Sequence, residues 1–365
     1  MPKVSGLEGI IAAETDVSLV DGINGYLVYR GYWAKELALN YSYEDAVYLL
    51  IYGCLPNREE SERFASLLAA NRELPAYVID LIRGLPDDMD MMSVLRTAVS
   101  ALGTSEYQWE PDDGQAIRAI GAIPSIVACR YHHVSKTDVV PSDPALGHVA
   151  NYLYMLSGKN PSAAHVKALN AYFVLTMEHA MNASTFAART IASTQSDLIS
   201  AIAGAIGALK GPLHGGAPFE VIQMLNDIGA KENAGHWLRR KLEDGERIMG
   251  FGHRVYKTRD PRAEALREIA EQLTGDDAWF DFAVHVENTA LTLLEQYKPG
   301  RQLYTNVEFY AAAVFRAVNL PDTLYTATFT ASRVAGWSAH ILEQAPVNRI
   351  FRPQSTYTGV MPTPV

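Results

Sequence analysis

Residues 198–209, LISAIAGAIGAL, form the longest strongly apolar run in the chain. The run has 12 residues, well short of the ~18 that indicate a membrane-spanning helix. A helix that is apolar on all sides is typical of a protein core. We therefore predict that this run is a buried helix inside a folded protein.

The overall composition is that of an ordinary globular protein. The 365 residues are 48% hydrophobic and 20% charged and contain no repeat or low-complexity tract, so the chain can form one large domain or two. A net charge of −10 argues against a general binder of nucleic acid or of anionic membranes. The N-terminus, MPKVSGLEG, resembles neither a secretory signal nor a transit peptide, so we expect a cytoplasmic protein.

Helical patterns extend from the apolar run in both directions. Apolar spacing with a period of 3.6, or continuous apolar character between Pro and Gly breaks, predicts helices at residues 43–54, 59–71, 90–102, 114–133, 161–181, 184–209, 218–228, 234–249, 261–273, 279–297, 307–318 and 324–344. The one convincing β signal lies in the first 35 residues, where partial alternation and the pairs Asp21-Gly22 and Asn24-Gly25 predict a hairpin. The sequence thus predicts an all-α fold with a short β-hairpin region at the N-terminus.

The glycine-rich segment at residues 210–218 separates a very apolar first half from a more charged middle. After residues 319–321 the chain returns to the small and apolar character of its first half. We expect a junction between two helical domains at the first segment and a return to the first domain at the second. A cleft between two such domains is a natural ligand site.

Three histidines stand out by their surroundings. His214, in KGPLHGGAP, is predicted to lie in a loop before a helix that Pro218 opens. The field near a helix N-terminus disfavours an imidazolium ion, so a neutral His214 would suit the stabilisation of a developing oxyanion. His253 lies among glycines and basic residues in GFGHRVYK, and His179 lies near a helix end in MEHAMNAST, although a single histidine is more often structural than catalytic.

Glu308 is the only carboxylate in the apolar run at residues 307–318. The simplest interpretation is that Asn306 caps the helix and that Glu308 interacts with the positive end of the helix dipole. A carboxylate on an apolar face, two loop histidines and several arginines also suit proton abstraction next to a carbonyl. The carboxylate would take the proton, one histidine would hold the enol oxygen, and the other would polarise an electrophile.

The segment at residues 247–262, RIMGFGHRVYKTRDPR, is strongly basic within an acidic protein. Its net charge is +4 with its histidine neutral, because five Lys and Arg residues face one acid, Asp260. Such a segment is typical of a site for a small polyanion or of a solvated basic loop. The arginines that would clamp carboxylates by paired hydrogen bonds are Arg262, Arg333 and Arg352.

Several common enzyme classes lack their motifs here. No Walker A loop, G-x-G-x-x-G fingerprint or G-x-S-x-G elbow is present, which excludes P-loop, Rossmann and α/β-hydrolase chemistry. The spacing of the three histidines matches no compact zinc motif, but a histidine-liganded metallohydrolase on a helical scaffold stays an alternative. Cys54 and Cys129 form no C-x-x-C pair and are predicted to be core thiols.

The chain resembles the citrate synthase family over nearly its whole length. The motifs GPLHGGA, GFGHRVYKTRDPRA, NVEFYAA and the SR of TASRVAG occur in the family's order and spacing, between GLEGIIAAETDVSLVDGINGYLVYRGY and FRPQSTYTG. The resemblance implies a large helical domain at residues 1–214 and 319–365 and a small helical domain at 215–318. It also implies an acyltransferase of the tricarboxylic acid cycle that condenses acetyl-CoA with oxaloacetate to citrate and CoA, without a tightly bound cofactor.

The same resemblance implies a role for each motif residue. His214 would stabilise the thioester enol or enolate, His253 would polarise and protonate the oxaloacetate carbonyl, and Glu308 would be the catalytic base. The implied oxaloacetate ligands are His179, Arg262, Arg333 and Arg352, the last supplied by the partner subunit of a homodimer. The implied CoA contacts are Gly250, Gly252, Lys257 and Arg259.

Glu308 departs from the family pattern, in which the usual base is the aspartate of NVDFY. Glutamate has a similar free pKa, about 4.3 against about 3.9, but its arm is one methylene longer, and a displacement of about 1 Å can lower a rate on the order of 10²-fold. We expect a pocket shaped for the longer arm; a weak enzyme or a non-catalytic helical relative is the alternative. A 2-methylcitrate synthase that uses propionyl-CoA is a second alternative. One more methylene in the acyl group changes the binding free energy by only about 1–3 kcal/mol, so the two enzymes would look alike.

Overall fold

The computed structural model describes residues 5–7, 9–215, 217–253, 255–272 and 278–362. Within these residues it has 17 α-helices, three short 3₁₀ helices and one small antiparallel sheet, so the predicted all-α fold with a short N-terminal hairpin region is confirmed. The strands are β1 (Ser18–Asp21), β2 (Tyr26–Tyr29) and β3 (Tyr32–Trp33). The Asp21 carboxylate closes the predicted turn after β1 by accepting the N–H groups of Ile23 and Asn24.

The helices follow the hairpin region in close succession. They are α1 (Ala34–Asn40), α2 (Tyr43–Tyr52), α3 (Arg58–Ala70), α4 (Ala76–Gly84), α5 (Met91–Ala101), α6 (Asp113–Ser135), α7 (His148–Ser157), α8 (Ala163–Thr176), α9 (Ala183–Ala192), α10 (Leu198–Leu209), α11 (Pro212–Gly215), α12 (Ala217–Ile228), α13 (Lys231–Glu243), α14 (Pro261–Gln272), α15 (Ala278–Tyr297), α16 (Val307–Ala317) and α17 (Tyr325–Gln344). The sequence patterns predict most of them but not the shorter helices α1, α4, α7 and α11.

The prediction of one continuous helix at residues 184–209 is wrong. Residues 184–209 are continuously helical in pattern, but the structure divides them into α9 and α10. Gln195 between them has a φ of +64°, a left-handed conformation that interrupts a right-handed helix. The Asp197 side chain then caps α10 by accepting the N–H of Ser200 at 2.9 Å, as N-cap residues do.

Two predicted helices end early, and the predicted burial of one cysteine is wrong. The helix predicted at 161–181 ends at Thr176, and the one predicted at 234–249 ends at Glu243. Cys129 is buried as predicted, but Cys54 is exposed. The reason is local: Gly53 ends α2 in the left-handed conformation with φ 82°, so the cysteine after it lies outside the helix and its packed face.

The opening run is α10, and the prediction of a buried helix is confirmed. It packs against α5, α9 and α17, and most of its side chains are buried. Gly204 lies so close to Ile191 of α9 that a Cβ there would overlap its side chain. No helix in the described part of the chain is long and apolar enough to cross a membrane.

The helices α12 to α16 form a second group. Helix α13 packs on α15, while α12, α14 and α15 all pack on α16. Two members of this group also contact the first group, since α14 packs on α1 and α8 and α16 packs on α8. The N-terminus of α16, which carries Glu308, therefore lies where the two groups meet.

The start of the chain is joined to the last long helix. Glu343 of α17 accepts hydrogen bonds from the Thr15 hydroxyl at 2.8 Å and from the Asp16 backbone N–H at 2.7 Å. Ser18 of β1 donates to Glu178 at 2.8 Å. These contacts hold β1 and the residues before it against α17 and against the bend between α8 and α9, where His179 lies.

Candidate active site

A cavity of about 800 Å³ lies between the two groups of helices. It brings together six of the residues that the sequence analysis selected for catalysis or substrate binding: His179, His214, His253, Arg262, Glu308 and Arg333. Its other walls include Phe186 of α9, Leu213 of α11 and Phe329 of α17, as well as Leu7 and Ile10 from the N-terminal segment. The walls therefore combine apolar side chains with a cluster of polar and charged groups, as ligand sites do.

His214 lies in the short helix α11 rather than in the predicted loop, and α12 begins at Ala217. The helix terminus that its ring faces belongs to α9: the Ser184 backbone N–H donates to His214 Nε2 at 3.3 Å. Because Nε2 accepts this bond, the proton of the neutral ring is on Nδ1, which has no partner among the described residues. Burial, and then the Arg333 charge, lower the pKa of His214 to about 4, so the ring is neutral at pH 7.

Ser184 is a site residue that the sequence analysis missed. Its hydroxyl oxygen lies 2.8 Å from both His214 Nε2 and Asn182 Oδ1, two acceptors that share its proton, and it accepts the Trp337 indole N–H at 3.0 Å. Asn182 is the N-cap of α9, so the same residue that starts the helix also orients the serine. Only the position of Ser184 two residues after the capping residue Asn182 could have suggested this role.

The glycines at 250 and 252 connect the His253 loop to α16. Both have positive φ, 85° and 83°, which glycine adopts without steric cost. Their backbones pair with the segment before α16: Gly252 N–H donates to the Tyr304 carbonyl at 2.7 Å, and Asn306 N–H donates to the Gly250 carbonyl at 2.9 Å. A Cβ on Gly250 would also press against Phe309. The loop therefore fits closely against the helix of Glu308.

The tautomer of His253 is fixed by its own loop. Its Nδ1 accepts the backbone N–H groups of Val255 and Tyr256, each at 3.0 Å, so the ring proton is on Nε2. Burial, and then the Arg262 charge, lower the pKa of His253 to about 4. Nη2 of Arg262 lies 3.2 Å from His253 Nε2, which places two N–H donors side by side. An acceptor oxygen in front of them would satisfy both.

The two buried arginines differ in how their charge is balanced. Arg262 forms a two-pronged ion pair with buried Asp260, at 3.0 and 2.9 Å. Arg333 stacks on Phe329 at 4.7 Å, donates Nε to the Thr176 carbonyl, and has no ion-pair partner among the residues described. Burial lowers the pKa of Arg333 to about 10, which leaves it charged at neutral pH. A buried, unpaired guanidinium favours an anionic ligand.

Glu308 has the helix position expected from the sequence. Asn306 is the N-cap of α16, and its side chain accepts the Glu308 N–H at 3.1 Å. The Glu308 carboxylate lines the cavity and has no hydrogen bond or ion pair within the described ranges. Burial raises its pKa above the usual 4.5, against the opposing charge of Arg262. An unpaired carboxylate with a raised pKa is suited to act as a base.

His179 lies in the bend after α8, which is why the helix predicted at 161–181 stops early. The Tyr29 hydroxyl of β2 donates to the carbonyl of Glu178 at 2.9 Å, and the Ala180 N–H donates to Ser18 of β1 at 3.1 Å. The hairpin thus holds the residues on both sides of His179. Burial, and then the charges of Arg262 and neighbouring cations, hold the pKa of His179 well below 6.5.

Some residues selected from the sequence do not line the cavity. Arg352 is exposed in the C-terminal segment, and Lys257 and Arg259 are exposed at the surface. Arg259 borders a separate cavity of about 670 Å³ beside α14 and α15. Of the basic segment, Arg247 and Arg262 line the main cavity, while Arg254 lies outside the described residues.

Both the sequence and the fold of the chain are similar to known proteins. The family described as "Citrate synthase, C-terminal domain" matches residues 6–354. The citrate synthase of Synechocystis sp. is 40% identical over 97% of this chain and 90% of its own length. The 2-methylcitrate synthase of Shewanella oneidensis is 38% identical over 99% of this chain and 96% of its own. The solved ternary complex of Thermoplasma acidophilum citrate synthase with carboxymethyl coenzyme A and oxaloacetate superposes with a TM-score of 0.87 at 30% identity, covering 100% of this chain and 98% of that chain.

Proposed function

The chain belongs to the citrate synthase family, and on that premise we propose how its own residues condense acetyl-CoA with oxaloacetate to citrate and CoA. One observation carries the proposal. His214 and His253 each have one ring nitrogen held by backbone N–H donors. Both line a cavity that also contains Glu308 and Arg333, whose charges have no ion-pair partner among the described residues. Two neutral N–H donors and a base are thus available to one reaction.

The first step is formation of the enol. The Glu308 carboxylate takes a proton from the methyl carbon of the thioester while His214 Nδ1–H donates to the thioester oxygen. Burial has raised the pKa of Glu308, which makes it a stronger base than an exposed carboxylate. The neutral imidazole stabilises the developing charge without becoming a competing acid.

The second step joins the two substrates. The enol carbon attacks the keto carbon of oxaloacetate, and the keto oxygen, held by His253 Nε2–H and Arg262, takes the proton of His253 Nε2. Glu308 returns the proton it removed from the methyl carbon to solvent, and His253 regains one from solvent. The carboxylates of oxaloacetate bind His179, Arg262 and Arg333. Water finally cleaves the thioester bond, which releases CoA and leaves citrate.

The proposal extends to assembly and to CoA. Helices α12, α13, α15 and α16 pack mainly within their own group, which supports a small domain at residues 215–318 beside a large domain at 1–214 and 319–365. Arg352 would complete the oxaloacetate site of a partner subunit in a cytoplasmic homodimer that serves the tricarboxylic acid cycle. In support, its C-terminal segment exposes large apolar side chains: Ile350, Tyr357, Val360 and Met361. The CoA contacts would be Gly250, Gly252, Lys257 and Arg259.

A second activity has a specific observation in its favour. A relative that is 38% identical over nearly the whole chain is a 2-methylcitrate synthase, so propionyl-CoA is the alternative acyl donor. The same residues would serve both reactions, because only one methylene distinguishes the two thioesters.

Thiol release tests both candidates directly. We expect CoA release from acetyl-CoA that requires oxaloacetate, is insensitive to EDTA, and exceeds release from propionyl-CoA in kcat/KM. Equal or higher kcat/KM with propionyl-CoA would assign the chain to 2-methylcitrate synthesis. A complete lack of oxaloacetate-dependent release from either thioester would overturn the proposed function, and activity that depends on stoichiometric zinc would favour the metallohydrolase.

A further inference from the structure

Tyr256 contacts three of the proposed oxaloacetate ligands, although the sequence analysis gave it no role. Its hydroxyl lies 3.2 Å from His179 Nε2, and its backbone N–H donates to His253 Nδ1 at 3.0 Å. The guanidinium carbon of Arg262 lies 5.6 Å from the centre of its ring. The side chain is 3% exposed, so it acts from behind these ligands rather than on the substrate.

We propose that Tyr256 is a positioning residue that sets the oxaloacetate site by donating its hydroxyl proton to His179 Nε2. This inference rests on the proposed function, since it concerns the same substrate. It assigns the proton of His179 to Nδ1 and makes that nitrogen the donor to oxaloacetate. Tyr256 thereby fixes the tautomers of two histidines, one through its hydroxyl and one through its backbone.

The direction of the hydroxyl hydrogen bond follows from the chemistry of the ligand. Oxaloacetate presents only acceptor oxygens, in two carboxylates and a keto group, so a histidine that binds it must present an N–H. His179 lines the cavity, and its Nδ1 has no partner in the described part of the chain. If Nε2 kept the proton for Tyr256, the cavity would face a lone pair on Nδ1. Both partners are neutral, because burial raises the pKa of Tyr256 and lowers that of His179.

The backbone around Tyr256 is fixed from outside the site. The N–H of Lys257, the next residue, donates to the Gly22 carbonyl in the hairpin turn at 2.7 Å. A Cβ on Gly22 would overlap the Val255 carbonyl on the other side of Tyr256. The turn after β1 therefore holds both neighbours of Tyr256, and its ring has one position between His179, at 5.8 Å, and His253, at 4.9 Å between ring centres.

The test is Tyr256→Phe, which removes the hydroxyl and keeps the ring. Loss of one hydrogen bond should weaken oxaloacetate binding by roughly 3- to 10-fold, as measured by calorimetric titration with oxaloacetate alone, and kcat at saturating oxaloacetate should fall less. Tyr152→Phe is the matched control, because Tyr152 is a buried tyrosine whose hydroxyl contacts Thr328 at 2.7 Å, away from the cavity. It should leave the oxaloacetate Kd unchanged.

A spectroscopic measurement tests the tautomer even if the variant folds poorly. In wild-type protein labelled with ¹⁵N-histidine, long-range ¹H–¹⁵N spectra should show His179 protonated on Nδ1, with its signals assigned by their loss in His179→Gln. Protonation on Nε2, or an unchanged Kd in Tyr256→Phe, overturns the inference. These results are independent of turnover, so wild-type protein without oxaloacetate-dependent CoA release would overturn the proposed function separately.

Discussion

Asn306 and Gly252 are joined by a hydrogen bond from the Asn306 side-chain amide to the Gly252 carbonyl, at 2.9 Å. The oxygen of the same amide caps α16 by accepting the Glu308 N–H. One side chain therefore connects the loop of His253 to the helix of the proposed base. The relative position of these two groups depends on it.

Replacing Asn306 separates its two functions. Asn306→Ser keeps a helix cap but is too short to reach Gly252, whereas Asn306→Ala loses both contacts. We expect the alanine variant to lose about 0.5–2 kcal/mol of unfolding free energy and the serine variant much less, while both lose kcat. Urea unfolding and steady-state kinetics measure the two effects. Normal kcat in a stable Asn306→Ser protein would contradict the linkage.

Substitutions of Glu308 test the base and the length of its arm. Glu308→Gln should abolish CoA release while oxaloacetate still binds, because Gln cannot accept the proton. Glu308→Asp withdraws the carboxylate by one methylene, which should cost on the order of 10²-fold in kcat in a pocket shaped for glutamate. Glu295→Gln, an exposed site on α15, is the control. Faster turnover with aspartate would mean that the pocket suits the shorter arm.

The acid limb of activity should be set by Glu308. Its pKa is raised above 4.5, so the fraction of carboxylate falls as pH falls through that raised value. His214 and His253, with pKa values of about 4, are still neutral there. The nearby charge of Glu220 contributes to the raised pKa. Glu220→Gln should therefore move the acid limb of kcat/KM to lower pH, with a smaller shift at high salt; a shift to higher pH would contradict this assignment.

Stability at acid pH should depend on His148, which does not line the cavity. The ring is fully buried against Tyr43, neither nitrogen has a partner within the described part of the chain, and burial lowers its pKa from 6.5 to about 3. The unfolded chain therefore binds a proton below pH 6.5 that the folded chain does not, so stability falls as pH drops from 6.5 toward 3, by up to about 1.4 kcal/mol per pH unit. His148→Phe should flatten this slope in urea unfolding at pH 7, 6 and 5. An unchanged slope would assign the acid sensitivity elsewhere.

Subunit mixing tests the proposed role of Arg352. Arg352→Ala and Glu308→Gln should each be nearly inactive alone. In a mixed dimer, one site has an intact Glu308 and receives an intact Arg352 from the partner, so random mixing should restore about a quarter of the wild-type activity. Activity is measured after subunit exchange, and exchange is verified with two affinity tags. Exchange without recovered activity would contradict a shared site.

The sequence indicated most helices and the chemical groups of the site because both depend on local patterns. Periodic apolar spacing predicts a helix such as α16, and Asn306 before an acid predicts its cap. The break at Gln195 lies in the polar run at residues 193–197, which contains the N-cap Asp197. The apolar runs on both sides outweighed this signal in the helix prediction. The predicted loop at His214 likewise proved to be a short helix, α11.

The residues that the sequence analysis missed act through tertiary contacts. Ser184 orients His214 across 30 positions of chain, and Tyr256 reaches His179 across 77. Neither residue type is distinctive, and no spacing rule connects them to their partners. Motifs can therefore predict the reacting groups, but the groups that fix their tautomers are found only once the fold is known.

The hydrogen bond between Thr15 and Glu343 determines when the pocket can form during biosynthesis. Thr15 leaves the ribosome well before α17, but its partner Glu343 lies 328 positions further along the chain. Contacts of such separation form slowly and late. The pocket is therefore assembled only after α17 has emerged, and a product that terminates before α17 leaves Ser18 and Tyr29 without the helix that secures them.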